Sequence, residues 1–276
     1  MVISDNASGY CIVNGEIKAV DELKLLNSDK MVYEVVRVIS SVPLFLEDHF
    51  KRLENSLNLI GTECSCDIKT IRECITKLTF VEQANNFNVK LIISVLDSIQ
   101  TLVVYTSKSY YPTNEEYSKG VLVNLLNLER ETPNIKKINY NYTNTIREKI
   151  SETKAFELLL VNSSNQILEG SKSNVFFVQD KKVLTAPNNL VLVGITRCFV
   201  VDICHRMGFE LSETCLTVND LSSIDAVFLT GTSIKVLPVK SVDNYYYESS
   251  TNSIVNSIQH EYDNIINQYI QDNCIK

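Results

Sequence analysis

The sequence has no apolar run long enough to cross a bilayer, and its opening, MVISDNASGY, lacks the basic stretch and apolar core of an export signal. A cytoplasmic protein is the expectation, with no membrane partner. There is no basic stripe either. The formal net charge is -7 and the Lys and Arg residues are scattered among acids, so nothing would gather a polyanion and no nucleic acid is expected. Gly-x-Gly-x-x-Gly, a P-loop, His-Glu-x-x-His and Gly-x-Ser-x-Gly are all missing, which removes most support for nucleotide hydrolysis and triad chemistry. Histidine is scarce: His49, His205 and His260 lie far apart on expected helices and read as surface or satisfied residues. Of eight cysteines only Cys64-Ser-Cys66 is a tight pair. Without a second pair or a nearby histidine it makes no case for a metal, and the irregular spacing suits a reducing compartment.

What is present is a chain of 276 residues, 45% hydrophobic and 21% charged, enough for one large core or two modest ones. Asn14-Gly15 between short apolar runs predicts a hairpin. Val32 to Ile39 is dense in β-branched residues, and a turn at Pro43 predicts a second strand over Leu44-Phe45-Leu46. Phe50, Leu53, Leu57 and Ile60 recur at helical spacing before Gly61, and Asp67 can cap a second helix with Ile68, Ile71, Ile75 and Leu78 inward. Strands follow at Val89 to Leu96 and Thr101 to Tyr105. The polar stretch Ser107 to Gly120 shows neither periodicity, so the boundary is placed there. The expectation is an α+β fold with a smaller N-terminal domain over 1–112, a linker over 113–120 and a larger C-terminal domain over 121–276. Within the latter, strands are expected at Val121 to Leu126, Leu158 to Val161, Asn174 to Val178 and Ala226 to Thr230, with helices at Thr143 to Phe156 and Thr196 to Met207. From Ser253 to Ile270, Val255, Ile258, Tyr262, Ile265 and Tyr269 share one face and predict a packing helix.

The chain has only eight glycines, and three lie in short polar segments beside apolar elements: Glu169-Gly-Ser-Lys-Ser-Asn174, Gly194-Ile-Thr-Arg197 and Thr230-Gly-Thr-Ser233. The last two follow glycine with hydroxyls, and Gly194 opens a helix, so backbone N–H groups and side chains there could hold a phosphate. A helix cap and a strand-end turn explain the same residues.

Six segments in order, Tyr33-Glu-Val-Val-Arg37, Glu47-Asp-His-Phe-Lys-Arg-Leu53, Lys136-Lys-Ile-Asn-Tyr140, Glu169 to Asn174, Gly194 to Arg197 and Phe228 to Ser233, resemble the motifs of the class IV aminotransferases. That family includes branched-chain aminotransferases, D-amino-acid aminotransferases and aminodeoxychorismate lyases, and the likeness runs from about Gly9 to Asp243. It implies the two-domain fold type IV, pyridoxal 5'-phosphate in a cleft between the domains, amino-acid and 2-oxo-acid substrates, and commonly a homodimer. Lys136 matches the Schiff-base lysine, chosen over Lys137 because the family places it three residues before the asparagine, here Asn139. Glu169 matches the acid at the pyridine nitrogen, where a carboxylate keeps the ring protonated as an electron sink. Tyr140 matches a tyrosine at the phenolic oxygen, and Arg52 the arginine that clamps the phosphate with its fork. Ile195 and Thr196 match the donors at the helix start, and Thr232 a second hydroxyl contact. Tyr33, with Arg37 on the same strand face, matches a substrate-pocket position, and the turn ending at Ser233 offers donors to a substrate carboxylate.

The chain departs from the family in three places. Asn27-Ser-Asp-Lys-Met31 stands where relatives have a glycine-rich aromatic segment, so the pocket entrance is expected to differ. The strand Lys90 to Asp97 lacks a closing Arg-Gly, and the loop after it lacks the arginine and histidine that bind the substrate carboxylate in D-amino-acid aminotransferases. Branched-chain enzymes tend to have tyrosine and arginine near Asn88 and Lys90. The resemblance therefore implies transamination, with an L-amino acid favoured and a branched-chain donor included. The alternatives are an aminodeoxychorismate lyase releasing pyruvate, or a degenerate cofactor binder, against which the joint presence of Lys136 and Glu169 argues.

Overall fold

The computed structural model describes residues 5–20 and 30–274. Residues 27–29 of the departing segment, like residues 1–4 of the N-terminus, lie outside them. The described chain divides into two compact units. One holds the residues through Tyr110, then Ile135–Ile138 and the tail from Ile266; the other holds Tyr111–Asn134 and Asn139–Ile265.

In the first unit β1 (Tyr10–Val13) and β2 (Glu16–Ala19) form the expected hairpin, with Asn14 and Gly15 at φ 48° and 89° in its turn. There follow β3 (Lys30–Ile39), β4 (Val42–Pro43), α1 (Leu46–Leu59), α2 (Ile68–Glu82), β5 (Phe87–Leu96) and β6 (Ile99–Ser107). They build an antiparallel sheet of order β2-β1-β6-β5-β3-β4. The strand expected over Leu44 to Leu46 is not one: Phe45 turns left-handed at φ 51° and Leu46 already begins α1. Asp67 caps α2 as expected, its Oδ1 accepting from Thr70 N at 2.8 Å.

Alternation along β3 sorts the two sheet faces. Val32, Val36 and Val38 point into a core with Leu53 and Leu57 of α1 and Ile71 and Ile75 of α2. Each such side chain contributes roughly 1.5–3 kcal/mol by leaving water. The opposite face carries a smaller cluster of Cys11, Ile92, Val103 and Tyr105, with Tyr33 and Ile138 packed against it.

The second unit contains α3 (Asn114–Lys119), β7 (Val121–Asn127), α4 (Tyr140–Thr153), β8 (Glu157–Val161), β9 (Gln166–Gly170), β10 (Asn174–Gln179) and β11 (Lys182–Thr185). It continues with α5 (Ile195–Met207), β12 (Leu211–Glu213), β13 (Leu216–Thr217), β14 (Ala226–Gly231), β15 (Lys235–Val242), β16 (Tyr245–Tyr246) and α6 (Ser253–Asn273), the last running into the first unit from Ile266. The strands form one sheet of order β12-β11-β10-β14-β15-β7-β8-β9-β13, with β16 beside β15. Parallel pairs β15/β7 and β7/β8 sit among antiparallel ones, a mixed α+β arrangement. The stretch expected as a linker over 113–120 contains a helix. Thr113 and Glu116 close a reciprocal capping box at its start, and six residues are too few to show a period.

Candidate active site

Lys136 belongs to the first unit although the sequence placed it in a C-terminal domain over 121–276. The short segment Ile135–Ile138 runs beside the beginning of β3. Lys136 O accepts from Tyr33 N at 2.9 Å and Ile138 N donates to Met31 O at 3.0 Å. Lys136 N donates to Ser56 Oγ of α1 at 3.3 Å. With its backbone held on both sides, the side chain leaves in one direction, and Nζ lies 4.8 Å from the centroid of the Tyr33 ring. A second cation also approaches that ring, Lys90 Nζ at 5.2 Å from its centroid. Lys90 is itself neutralised by Asp5, whose Oδ2 it meets at 2.8 Å and whose Oδ1 accepts from Tyr105 OH at 2.8 Å. Arg37 shares the half-buried face of β3 with Tyr33, as the alternation required.

On the core face of the same strand sits a group that sequence reasoning missed. Glu34 is fully buried, and Arg52 of α1 grips both its oxygens, Nε to Oε1 and Nη2 to Oε2, at 2.7 Å each. His49 Nδ1 lies 2.8 Å from Oε2. Burial alone would raise the Glu34 carboxyl, but the Arg52 charge and the bonds from Arg52 and His49 hold it far below the ordinary range. Burial lowers His49 in turn, so it is neutral near pH 7. His49 is thus the satisfied helix histidine the sequence suggested. Arg52 is not the surface charge its neighbours Glu47 and Asp48 would imply: it is only 13% exposed.

In the second unit Glu169 lies in β9, one residue before its end, and is only 3% exposed. Arg130 Nε pairs with its Oε1 at 3.1 Å, and Leu192 N donates to its Oε2 at 3.2 Å. Arg130 also donates to Ser171 O at 2.9 Å and lies over the Tyr142 ring, whose hydroxyl donates to the same carbonyl. Arg130 and Tyr142 had no signal in the sequence beyond being an arginine and a tyrosine near a motif. Tyr140, the expected cofactor tyrosine, is 48% exposed at the first position of α4, where Asn139 caps the helix by accepting from Tyr142 N.

Ile195 and Thr196 occupy the first turn of α5, and among the described residues no side chain caps that turn. Its N–H groups and the positive end of the helix dipole are therefore available to an anion. The loop before it is pinned by Asn174, whose Nδ2 donates to Leu192 O at 2.8 Å; a Cβ at Gly194 would collide with Asn174 Oδ1. Thr196 Oγ1 meets Tyr262 OH of α6 at 3.2 Å, so the tail helix, outside the resemblance, fixes the expected phosphate hydroxyl. Thr232 and Ser233 lie half-buried in the turn joining β14 to β15. Tyr117 of α3 braces this turn by donating to Ile234 O at 3.1 Å, and Lys235 ties it to Asp263 of α6 at 2.7 Å. No group of three or more candidate metal ligands occurs among the described residues, and no described helix is long and apolar enough to cross a membrane.

The family described as amino-transferase class IV matches residues 31–242 of the chain. A D-alanine aminotransferase of Bacillus licheniformis is 27% identical over 223 residues, 77% of this chain and 78% of that protein. Among solved structures, the T.th. branched-chain amino acid aminotransferase complexed with N-(5'-phosphopyridoxyl)-L-glutamate superposes with a TM-score of 0.82 at 22% identity, over 96% of this chain and 98% of that one. The Escherichia coli branched-chain amino acid aminotransferase gives 0.80 at 20% identity over 98% of each chain.

Proposed function

The chain belongs to the class IV aminotransferases, pyridoxal-phosphate-dependent transaminases, and from that premise we propose that it moves the amino group of an L-amino acid with an apolar, branched side chain to a 2-oxo acid. The observation that carries the reading is the fixed stance of Lys136, held by β3 and Ser56 with its amine over Tyr33. Each unit by itself carries groups of the kind the cofactor needs: in the first an amine for the aldehyde at Lys136 and a guanidinium at Arg52, in the second a buried carboxylate at Glu169, an uncapped helix start at Ile195 and Thr196, and a hydroxyl at Thr232. Tyr140 remains the candidate for the phenolic oxygen.

When bound, pyridoxal phosphate supplies an electron sink for the carbanion left at the donor's Cα. Lys136 Nζ takes the Cα proton and delivers it again, the role of a base returned to its free amine. Glu169, paired with Arg130 and bonded by the Leu192 amide, would hold a proton on the ring nitrogen of the bound cofactor. The apolar surroundings of Tyr33, formed by Ile92, Val103, Tyr105 and Ile138, suit a branched hydrocarbon side chain. Lys90, already matched by Asp5, adds little net charge there. The Thr232–Ser233 turn offers donors to the substrate carboxylate, and Arg37 lies on the strand face of Tyr33. An L-donor is favoured because the strand and loop from Lys90 onward lack the arginine and histidine of the D-specific clamp.

The test is a donor panel under single-turnover conditions, with the protein afterwards fixed by borohydride and digested. The expected result is conversion to the amine form by L-leucine, L-isoleucine or L-valine, release of the keto acid, and, in protein fixed before any donor is added, a cofactor adduct on Lys136. An adduct on Lys137 overturns the lysine assignment. Conversion by D-alanine alone overturns the stereochemistry. Pyruvate from aminodeoxychorismate, with no donor converting the cofactor, makes the chain a lyase. Retained cofactor without any reaction makes it a degenerate binder.

A further inference from the structure

The loop from α1 to α2 holds the two cysteines that the sequence sets one residue apart. Cys64 Sγ lies 3.5 Å from Cys66 Sγ and 3.3 Å from Cys66 O, so the first side chain folds back over the second residue. Two residues of chain span at most about 7 Å even when extended. Any turned backbone here therefore keeps the α-carbons within disulfide range, and the sulfurs need approach by only about 1.5 Å to bond. The residue between them is held: Ser65 N and Oγ donate to Gln100 Oε1 of β6 at 3.0 and 2.9 Å, and Gln100 Nε2 donates back to Thr62 Oγ1 and to Glu63 O. Both thiols are half-exposed, with their inner sides against the first unit's core.

We propose that Cys64 and Cys66 form a thiol–disulfide exchange site that takes small-molecule disulfides as oxidant, Cys64 attacking and Cys66 resolving. The geometry makes the roles unequal. Once Cys64 is ionised only the Cys66 thiol can donate across the 3.5 Å contact, which draws the Cys64 ionisation down to about 7, while the same contact and burial push Cys66 up. Burial raises Cys74, Cys204 and Cys215, Cys204 to about 12, so these three are poor nucleophiles.

In the first step Cys64 thiolate attacks one sulfur of the external disulfide, forming a mixed disulfide and expelling one small thiolate. In the second the Cys66 thiol, giving up its proton to that thiolate or to water, attacks Cys64 Sγ, closing the Cys64–Cys66 bond and expelling the second small thiolate. Two electrons pass from the protein pair to the external disulfide, which leaves as two thiols. This chemistry is independent of the transamination reading.

The experiment exposes the full-length holoenzyme to glutathione disulfide, with peptide mass mapping over time and pH. The expected wild-type product is an internal Cys64–Cys66 bond with no glutathione retained there, formed at a rate rising to half its maximum near pH 7. Cys66→Ala should stop with one glutathione on Cys64, at a rate about tenfold lower at pH 7 and with its pH profile shifted upward, since the donating thiol is gone. Cys66→Ser provides the same arrest in a polar side chain should alanine disturb the loop. Persistent glutathione on Cys64 in the wild type overturns the proposal. So does modification confined to the exposed Cys198 and Cys274, or an unchanged pH profile in both Cys66 variants.

Discussion

Arg52 lays its guanidinium fork on the carboxylate of Glu34, two parallel bonds of 2.7 Å joining α1 to the core face of β3. The residue with the best claim to a phosphate contact is thus also half of a buried ion pair. Removing one partner of such a pair leaves an uncompensated charge, at a cost of about 3–5 kcal/mol. Arg52→Ala is therefore expected to lower the thermal midpoint as well as cofactor affinity. The double variant Arg52→Ala, Glu34→Gln separates the two effects: much of the stability should return, because no buried charge is stranded, while cofactor affinity stays weak. Recovery of cofactor affinity in the double variant would show that Arg52 acts only through the fold.

Glu169 is expected to matter to chemistry more than to cofactor attachment. Glu169→Gln keeps the side-chain volume and a bond to Leu192 N but cannot hold a proton on the ring nitrogen. Its turnover should fall on the order of a hundredfold or more, while borohydride still fixes the cofactor to Lys136. Arg130→Met should have a smaller effect of the same kind, since it loosens the acid without removing it. A Glu169→Gln enzyme with wild-type turnover would remove the acid from the mechanism.

At the start of α5 the tight fit of Gly194 against Asn174 makes a paired test. Gly194→Ala drives a Cβ into Asn174 Oδ1 and must shift either the loop or the side chain, a strain of about 1–3 kcal/mol. Since that loop aims the uncapped first turn, cofactor retention through gel filtration should drop. Adding Asn174→Ala makes room for the methyl, and should recover stability in part while leaving Leu192 O without its donor. Retention equal to wild type in Gly194→Ala would mean that the α5 start holds no phosphate.

Much of the first unit was legible because its signals are local. A density of β-branched residues gave β3, helical spacing gave α1 and α2, and Asn14-Gly15 gave the hairpin. Elsewhere the sequence failed for physical reasons. Pro238, with Lys235 and Lys240 near it, breaks the pattern of β15, yet the strand sits between β14 and β7 and absorbs the irregularity at Val239 to Ser241. Short β9 offered too few residues for a period, so no strand was expected there and only the resemblance singled out Glu169. Ordered motifs gave the chemistry of the candidate site. Its supports Glu34, Ser56, Asn174 and Tyr262 come from positions 18 to 80 residues distant from the groups they hold, and no short sequence window contains such pairs. Glu34 did leave one trace, a charge at an inward position of an apolar strand.

The Glu34–His49–Arg52 cluster also predicts how the protein responds to acid. The folded Glu34 carboxyl titrates well below its unfolded value near 4.5, so the unfolded chain binds the proton first and stability is lost as pH falls below about 4.5. His49 is lowered from 6.5, and for a base this has the same sign: below about 6.5 the unfolded imidazole is charged while the folded one resists. Both groups therefore hold their full contribution near neutral pH and lose it toward acid, His49 from the higher pH. Thermal midpoints measured from pH 8 to 4 should fall in two stages. His49→Gln should flatten the stage beginning near 6.5, and Glu34→Gln in the Arg52→Ala background should flatten the one beginning near 4.5. A midpoint that rises on acidification through either window in the wild type would contradict the buried pair, because it would require the folded state to gain the protons first.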